Sequence, residues 1–343
     1  MRRSPAERIC LVPRLSGLGG MVSFQQRLAA GLAGRGVETT FDLADPRAAA
    51  VLVIGGTRQI AALVRARRRG ARIVQRLDGM NWLHRRQPTP LRAWLRAESS
   101  NWLLAVIRAR LADRIVYQSR FSQAWWEKVH GAAGAPAAVV YNGVDLASYS
   151  PDGPHARPQG RFRVLLVEGH LGGSNVSGLE NAVALAEAIE RDHGLPVELF
   201  VVGQVPAEVR ARWARLPAGR VNWAGVRKRE DIPETDRSAH LLFSADLNAA
   251  CPNSVIEALA CGLPVAAFDT GALGEMIADG AGEVVPYGAD HWKLEPPDIA
   301  GLAAAAVRIL THQESYRPAA RARAEAAFGL ERMLDGYLEA LLG

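Results

Sequence analysis

Glu257 is the acidic side chain whose position in the sequence best fits binding chemistry. It lies in the run PNSVIEALACGLPV, residues 252–265, where a short predicted helix follows a polar loop and stops at Gly262. The first N–H groups of a helix lack intrahelical partners, and the helix dipole favours anions beside them. These groups belong to Asn253, Ser254 and Val255. The pattern therefore predicts an anion-binding helix N-terminus with a carboxylate one turn further along.

Glu257 also has a purely structural interpretation. Asn253 or Ser254 is expected to cap the helix, and Ser254 with Glu257 fits a capping box, in which the glutamate reaches back to a backbone N–H. Gly262 stands where a left-handed residue ends a helix, a position that favours glycine. From the residues alone, ligand binding and capping both remain open for Glu257.

Asp78 and Glu275 are the other acidic candidates. Asp78 follows the predicted strand IVQRL, residues 73–77, at the carboxyl edge where α/β proteins bind ligands. Arg76 would point to the same side of that strand, so an Arg76–Asp78 ion pair is the alternative to a catalytic role. Glu275, in TGALGE, is at the start of a predicted helix, where the macrodipole alone favours a carboxylate.

The histidines and cysteines indicate no metal centre. His84 and His170 have no partner at ligand spacing, and lone histidines are more often ordinary polar residues. The three cysteines, Cys10, Cys251 and Cys261, stand in apolar runs without metal-ligand spacing. We therefore expect reduced thiols, no metal and no cofactor.

The elements that position these residues follow one order twice. RICLVPRLSGLGGMVSF, from Arg8, and RFRVLLVEGHLGGSNVSGL, from Arg161, each read as strand, glycine loop and helix. Two such units in 343 residues predict an α/β chain with two domains and parallel sheets. We expect an N-terminal domain over residues 1–150, a Pro- and Gly-rich linker over 151–160, a C-terminal domain over 161–317 and a final helix over 318–343.

Composition and charge restrict the partners. The chain lacks a secretory h-region and any apolar run of about 18 residues, which predicts a cytoplasmic protein. Residues 46–77 hold eight arginines and no acidic residue. This stretch is typical of a solvated face, and contact with anionic lipid at the inner face of a membrane is the alternative. No recognition motif supports nucleic-acid binding.

Residues 252–275, PNSVIEALACGLPVAAFDTGALGE, are similar to the nucleotide-sugar-binding segment of the family 4 retaining glycosyltransferases, within the group 1 glycosyl transferases. Asn142-Gly143-Val144-Asp145 resembles the sequence at which that family passes from its first domain to its second. The resemblance implies the GT-B fold, with two Rossmann-like doubly wound domains facing across a cleft. It also implies a last helix that crosses back to the first domain.

The same resemblance implies a metal-independent, retaining hexosyltransferase. Its partners would be a nucleotide-sugar donor and a saccharide, glycan or lipid-linked acceptor. Glu257 would bind the donor ribose, the α-helix N-terminus its diphosphate, and Asp78 would have a catalytic role with Glu257. The remaining implied donor-binding residues are Gly19, Gly20, His170, Gly172, Gly173, Asn253, Ser254, Val255 and Glu275.

Three positions depart from the family pattern. Ala249 stands where the family has the first of two glutamates, and His170 and Ser177 align near its Arg and Lys. Cations from elsewhere (Arg14, Arg76 or Lys228) or backbone N–H groups of the glycine loop would have to replace them. The alternatives to a transferase are a relative that binds donor without turnover, a sugar-nucleotide epimerase and a polyanion-binding protein.

Overall fold

The computed structural model describes residues 8–17, 19–173, 176–214 and 219–343. The chain divides into two compact units. Unit 1 is Met1–Gly143 with Leu330–Gly343, and unit 2 is Val144–Gly329. The predicted linker, residues 151–160, lies inside unit 2 and contains no helix or strand. The described part of the chain has no helix that combines the length and the apolar character needed to cross a membrane.

Unit 1 is built on a six-stranded parallel sheet in the order β2-β1-β3-β4-β5-β6. Its strands are β1 Arg8–Val12, β2 Glu38–Thr40, β3 Ala48–Ile54, β4 Arg72–Leu77, β5 Arg114–Tyr117 and β6 Ala137–Val139. Its helices are α1 Gly20–Gly34, α2 Ile60–Arg68, α3 Leu91–Arg110, α4 Arg120–His130 and, from the end of the chain, α12 Leu330–Leu342. The strand order reverses between β1 and β3, and each of these two strands is followed by a loop that contains glycine.

The core of unit 1 depends on α12. Met333, Leu334, Tyr337 and Leu341 pack in one buried cluster with residues of β1, β3 and α1. Leu334 lies so close to α1 that a Cβ on Gly31 would be 2.6 Å from its Cδ1 atom. The apolar face of α12 therefore covers one side of the unit 1 sheet.

Unit 2 has a second six-stranded parallel sheet, in the order β12-β11-β10-β7-β8-β9. Its strands are β7 Phe162–His170, β8 Val197–Gln204, β9 Val221–Gly225, β10 Leu241–Ser244, β11 Val265–Phe268 and β12 Gly282–Val285. Its helices are α5 Val176–His193, α6 Ala207–Ala211, α7 Ile232–Arg237, α8 Asn253–Ala260, α9 Leu273–Met276, α10 Ile299–Thr311 and α11 Gln313–Ala327.

The strand order of unit 2 is that of the Rossmann fold, and it reverses between β7 and β10. Ligands of open α/β sheets bind at such a reversal, outside the carboxyl ends of the strands. The predicted fold class, α/β with two Rossmann-like parallel sheets, is confirmed. The loops after β7 and β10 are consequently where a ligand site in unit 2 is expected.

The prediction of one final helix over residues 318–343 is wrong. α11 ends at Ala327 and α12 begins at Leu330. The break occurs because the Phe328 ring is fully buried and its carbonyl oxygen accepts a 2.9 Å hydrogen bond from the Val144 N–H. Gly329 forms an isolated parallel bridge with Val144 at the same place.

Candidate functional site

Helix α8 begins at the carboxyl edge of the unit 2 sheet. β10 ends at Ser244, a polar loop follows, and α8 runs from Asn253 to Ala260. Backbone bonding along the helix starts with the Ile256 N–H, which donates to the Pro252 carbonyl oxygen at 3.4 Å. The first-turn N–H groups thus point along the helix axis toward the edge of the sheet, as the sequence pattern predicts.

The predicted side-chain cap on α8 is wrong. Pro252 is the N-cap residue, with extended backbone angles, and no side chain caps the helix. Asn253 and Ser254 are already inside the first turn, because the helix begins two residues earlier than a Ser254 cap would require. Glu257 is then the fifth helical residue, too far along for a capping box, which places its glutamate at the third. The capping interpretation of Glu257 is thereby removed.

The C-terminus of α8 agrees with the prediction. Gly262 has φ of 66°, and the Leu263 N–H donates to the Ala258 carbonyl oxygen at 2.8 Å. This 6→1 bond is the closure that a left-handed glycine allows. The tight closure leads the chain directly into β11 and fixes the position of α8 against the sheet.

Glu257 is buried beside a second carboxyl group, Asp236 of α7. The two residues are 8% and 1% exposed. Burial, and then the negative charge of Glu257, raise the pKa of Asp236 well above its usual value, while Arg237 and a hydrogen bond from Cys261 oppose the shift. Burial and the neighbouring carboxyl group of Glu257 therefore disfavour a negative charge on Asp236.

Ala249, at the position of the family's first glutamate, lies in a tight backbone contact. It is 5% exposed, and its carbonyl oxygen accepts a 2.8 Å hydrogen bond from the Ala272 N–H. Gly271, with φ of 62°, approaches so closely that a Cβ there would lie 2.5 Å from the Ala249 nitrogen. The loops that follow β10 and β11 are therefore joined at Ala249.

The glycine loop after β7 is only partly within the described residues. His170 is exposed at the end of β7, in register with Gln204 of β8. Gly172 is buried, and a Cβ there would be 2.8 Å from the His170 Nε2 atom. Gly173 is exposed, with φ of 58°. Ser177 is exposed in the first turn of α5, and residues 174–175 lie outside the described ranges.

Two carboxylates at the strand reversal were not predicted from the sequence. Glu168 lies near the end of β7, and Asp246 follows β10, the strand adjacent to it. Burial, and then the negative charge of Asp246, raise the pKa of Glu168 to about 8. The sequence does show that each of these two carboxylates stands where an apolar strand ends. Their proximity depends on the strand order, which the sequence does not show.

Glu275 lies in the short helix α9, which α11 holds in place. The Arg323 guanidinium donates hydrogen bonds to the Glu275 and Met276 carbonyl oxygens at 2.7 and 3.1 Å. The Glu275 residue is half-buried. Its predicted role in the donor pocket stays a prediction.

A cavity of about 220 Å³ opens at the carboxyl ends of β8 and β9. Gly203, Arg210 and Trp223 contribute to its lining. This volume is below the roughly 300–1,000 Å³ typical of sites for drug-sized ligands, so it suits a single ring system.

In unit 1, the predicted glycines begin α1. Gly19 is the N-cap residue, with φ of 129°, and Gly20 is the first helical residue. A Cβ on Gly19 would meet no atom within 4 Å, so its backbone conformation, not crowding, favours glycine. Their predicted contact with donor phosphates stays a prediction.

Asp78 and Arg76 do not form an ion pair. The Arg76 Nη2 atom donates to the Asn142 Oδ1 atom at 2.9 Å, and its guanidinium lies 3.8 Å from the centre of the Phe24 ring. The Asp78 carbonyl oxygen accepts from Trp126 Nε1 at 2.7 Å, which fixes the backbone at the end of β4. Burial raises the pKa of the Asp78 carboxyl, and the charge of Arg76 lowers it.

The other suggested cations already have neighbours. Arg14 lies 5.1 Å from the centre of the Phe41 ring, and Lys228 is exposed, 3.6 Å from Glu230. His84 lies 2.9 Å from Glu98. Within the described ranges, no group of three or more His, Cys, Asp or Glu side chains has metal-binding geometry.

Two parallel sheets of Rossmann type are the architecture of the GT-B fold. Solved structures agree. Sucrose-phosphate synthase from Thermosynechococcus elongatus superimposes with a TM-score of 0.73 at 17% identity, over 97% of this chain and 98% of that one. Anabaena Alr3699/HepE in complex with UDP-glucose superimposes with a TM-score of 0.69 at 17% identity, over 97% and 99%.

Residues 163–312 match the model of the family described as glycosyl transferases group 1. The matched segment lies within unit 2 and includes α8 and Glu257. The chain is also 29% identical over 170 residues to 2-deoxystreptamine N-acetyl-D-glucosaminyltransferase of Streptomyces fradiae. This match covers 47% of the chain and 38% of the relative, so the chain spans about two fifths of that protein's length.

Proposed function

We propose that the chain transfers a sugar from a nucleoside diphosphate donor to an acceptor hydroxyl, with retention of configuration and without a metal ion. One observation carries the proposal. Inside the family-matched sheet, α8 begins at the carboxyl edge with no side-chain cap, one turn before the buried carboxylate of Glu257. A helix start of this kind suits paired phosphates, and the carboxylate suits vicinal hydroxyls.

The donor diphosphate would lie against the N–H groups of Asn253, Ser254 and Val255. These donors are fixed in position by the helix and cost no reorganisation when the leaving diphosphate gains charge. They would take over part of the work of the family's Arg and Lys, whose positions hold His170 and Ser177. N–H groups of the glycine loop at Gly172 and Gly173 would supply the rest.

Glu257 would accept hydrogen bonds from the two ribose hydroxyls. Asp236 supports this role, because its raised pKa disfavours a second negative charge beside the ligand. The base would occupy the cavity beside Trp223, on the same sheet edge. We propose uracil as the base, since the similar Anabaena protein was solved with UDP and with UDP-glucose.

Asp78 and Glu257 remain the proposed catalytic side chains, and Glu275 and the glycines Gly19 and Gly20 remain proposed contacts of the donor. The acceptor would be a saccharide, a glycan or a lipid-linked sugar. The relative from Streptomyces fradiae acts, by its name, on 2-deoxystreptamine, so an aminocyclitol belongs in the acceptor panel. The carboxyl group of Asp246, exposed after β10 at the strand reversal, favours including it.

The test is a panel of UDP-, GDP- and ADP-sugars, read by thermal shift and by release of nucleotide with and without acceptors. The proposal expects a rise in melting temperature with a UDP-sugar and acceptor-dependent release of UDP. Binding without release would favour the inactive relative, and donor consumption without acceptor would favour an epimerase. Absence of binding and of release would overturn the transferase, and salt-steep binding of polyanions would favour a polyanion-binding protein.

We also propose peripheral contact with an anionic membrane through unit 1. Arg65 and Arg68 are exposed on α2, and the neighbouring α3 exposes Leu91, Leu95 and Trp102. Arg67 joins the two helices by donating to the Arg110 carbonyl oxygen at 3.2 Å. Arginines combined with exposed aromatic and aliphatic side chains are typical of a surface that lies on lipid.

Vesicle co-sedimentation tests this contact. We expect binding to vesicles that contain phosphatidylglycerol and none to phosphatidylcholine, with loss on the double change L95S/W102S. Val129, exposed on α4, gives the matched control V129S. Equal binding by the double variant and the control would contradict the proposal and leave a solvated face.

A further inference from the structure

Asn248 and Thr270 have buried polar side chains whose hydrogen-bonding capacity is unused. The residues are 4% and 3% exposed. Among the described residues, neither the Oδ1 nor the Nδ2 atom of Asn248 has a hydrogen-bond partner, and the same holds for Oγ1 of Thr270. Folded proteins satisfy the large majority of such atoms, because an unmade bond in a buried position costs about 1–3 kcal/mol. Two such side chains on adjoining loops therefore need an explanation.

Both residues lie at the carboxyl edge of the unit 2 sheet. Asn248 is in the loop after β10, which flanks the strand reversal, and Thr270 follows β11. The two loops touch, since a Cβ on Gly271 would lie 2.6 Å from the Asn248 carbonyl carbon. The unused polar atoms are consequently at the edge where α8 begins.

The backbone of Asn248 is in the left-handed region, with φ of 59°. Glycine adopts this conformation at the lowest cost, and asparagine is the side chain that tolerates it best. A glycine there would also have removed both unpaired polar atoms. The turn therefore accounts for the residue type at position 248 but leaves the two unpaired polar atoms of its amide unexplained.

Ala249, the residue after Asn248, leaves this part of the site without a charge. The resemblance places a glutamate there, whereas this chain has a methyl group and no charge. The polar atoms that remain at this point are an amide, with a donor and an acceptor, and a hydroxyl, with both capacities. Neutral groups of this kind match the hydroxyls of a sugar ring, and they offer no charge to a phosphate.

We propose that the Asn248 amide and the Thr270 hydroxyl form an uncharged subsite that binds hydroxyl groups on the sugar ring of the donor. The inference rests on the proposed function and specifies how this chain selects its sugar. A sugar hydroxyl placed there completes hydrogen bonds in surroundings shielded from water, where they contribute most. The subsite acts on the sugar of the donor and leaves binding of the nucleotide part unchanged.

The experiment compares the affinities of a UDP-sugar and of UDP alone, by calorimetry, for matched variants. T270V removes the hydroxyl and keeps the shape, whereas T270S keeps the hydroxyl. N248G keeps the left-handed backbone and removes the amide. We expect T270V and N248G to weaken UDP-sugar binding on the order of fivefold to tenfold. The affinity of these variants for UDP, and the affinity of T270S for the UDP-sugar, should stay within twofold of the values for the unsubstituted protein.

The thermal stability of the ligand-free variants separates this role from a structural one. Because the hydroxyl has no partner to lose, T270V should keep or raise the melting temperature. The inference would be overturned if T270V and N248G both bound the UDP-sugar within twofold of the affinity of the unsubstituted protein. It would also be overturned if these variants lost affinity equally for UDP and for the UDP-sugar. Should N248G fail to fold, the T270V and T270S pair decides. Failure of the unsubstituted protein to bind any UDP-sugar would instead reject the proposed function.

Discussion

The N–H of Ala272 donates a 2.8 Å hydrogen bond to the carbonyl oxygen of Ala249. This bond joins the loop after β10 to the loop after β11, and it is possible only because Gly271 has no side chain between them. The two loops carry Asn248 and Thr270 and lead into α8 and α9. The shape of the candidate donor site thus depends on one backbone contact.

Gly271→Ala should disrupt that contact. The substitution places a Cβ 2.5 Å from the Ala249 nitrogen and also strains a residue with φ of 62°. Gly280→Ala is the control, because Gly280 has φ of 76° and its Cβ would meet only Ala319 at 3.6 Å. Urea unfolding should show a loss of about 1–2 kcal/mol for G280A, from conformation alone, and a larger loss for G271A. Equal losses would contradict the close-contact explanation.

Glu257→Gln should weaken donor binding. A hydrogen bond to a charged group contributes about 1.5–3 kcal/mol, which corresponds to roughly tenfold to a hundredfold in Kd. Calorimetry with a UDP-sugar measures the change, and E230Q, at an exposed glutamate of unit 2, controls for the loss of charge. A lower melting temperature with unchanged donor affinity would make Glu257 a structural residue.

The stability of the protein should depend on pH through Glu168. Its pKa is about 8 in the folded protein and 4.5 ordinarily, so the folded protein keeps a proton that the unfolded chain has released. The stability contributed by this proton is present below pH 4.5 and is lost as pH rises through about 8. Compared with E168Q, the unsubstituted protein should lose free energy of unfolding as the pH rises from about 5 to 8. Above about pH 9, the curves of unfolding free energy against pH should be parallel for the two proteins. Parallel curves throughout would contradict the raised pKa.

Gly31 and Leu334 should show strong coupling. Leu334→Ala removes a fully buried side chain and should cost about 3–5 kcal/mol. Gly31→Ala puts a Cβ 2.6 Å from the Leu334 Cδ1 atom, so it should destabilise the unsubstituted protein. In the L334A background the clash is gone, and the same change should stabilise by roughly 0.5–1 kcal/mol through helix propensity.

Urea unfolding of the four proteins in this cycle measures the coupling. Gly34 is also in α1, and a Cβ added to it would meet no atom within 4 Å, so G34A reports the propensity effect without a clash. Additive changes for G31A and L334A would show that α12 does not pack on α1 as described.

Much of the fold follows from local sequence. The apolar run IVQRL predicted β4, and the runs that begin at Arg8 and Arg161 predicted β1 and β7. The edge strand β2, Glu38–Thr40, has no apolar run and was missed. The break between α11 and α12 was also missed, because it results from a contact with Val144, far away in the sequence.

The candidate site was predicted in part. The start of α8 and its glycine end were visible as local turn chemistry, and the burial of Glu257 is consistent with its predicted importance. The cap was assigned wrongly because a proline can begin a helix without any side-chain bond. Glu168, Asp246, Asn248 and Thr270 were not assigned, since their significance arises from strand order and burial, which only the folded chain defines.

The placement of α12 in unit 1 has a consequence for how the protein is made. A ribosome delivers β1 to β6 first, then all of unit 2, and only afterwards the helix that completes the first core. At about 5–20 residues per second, the nascent first sheet waits on the order of ten seconds or more with one apolar side uncovered. During that interval the growing chain offers a binding surface to chaperones, while unit 2, whose residues are contiguous, can fold as soon as it emerges.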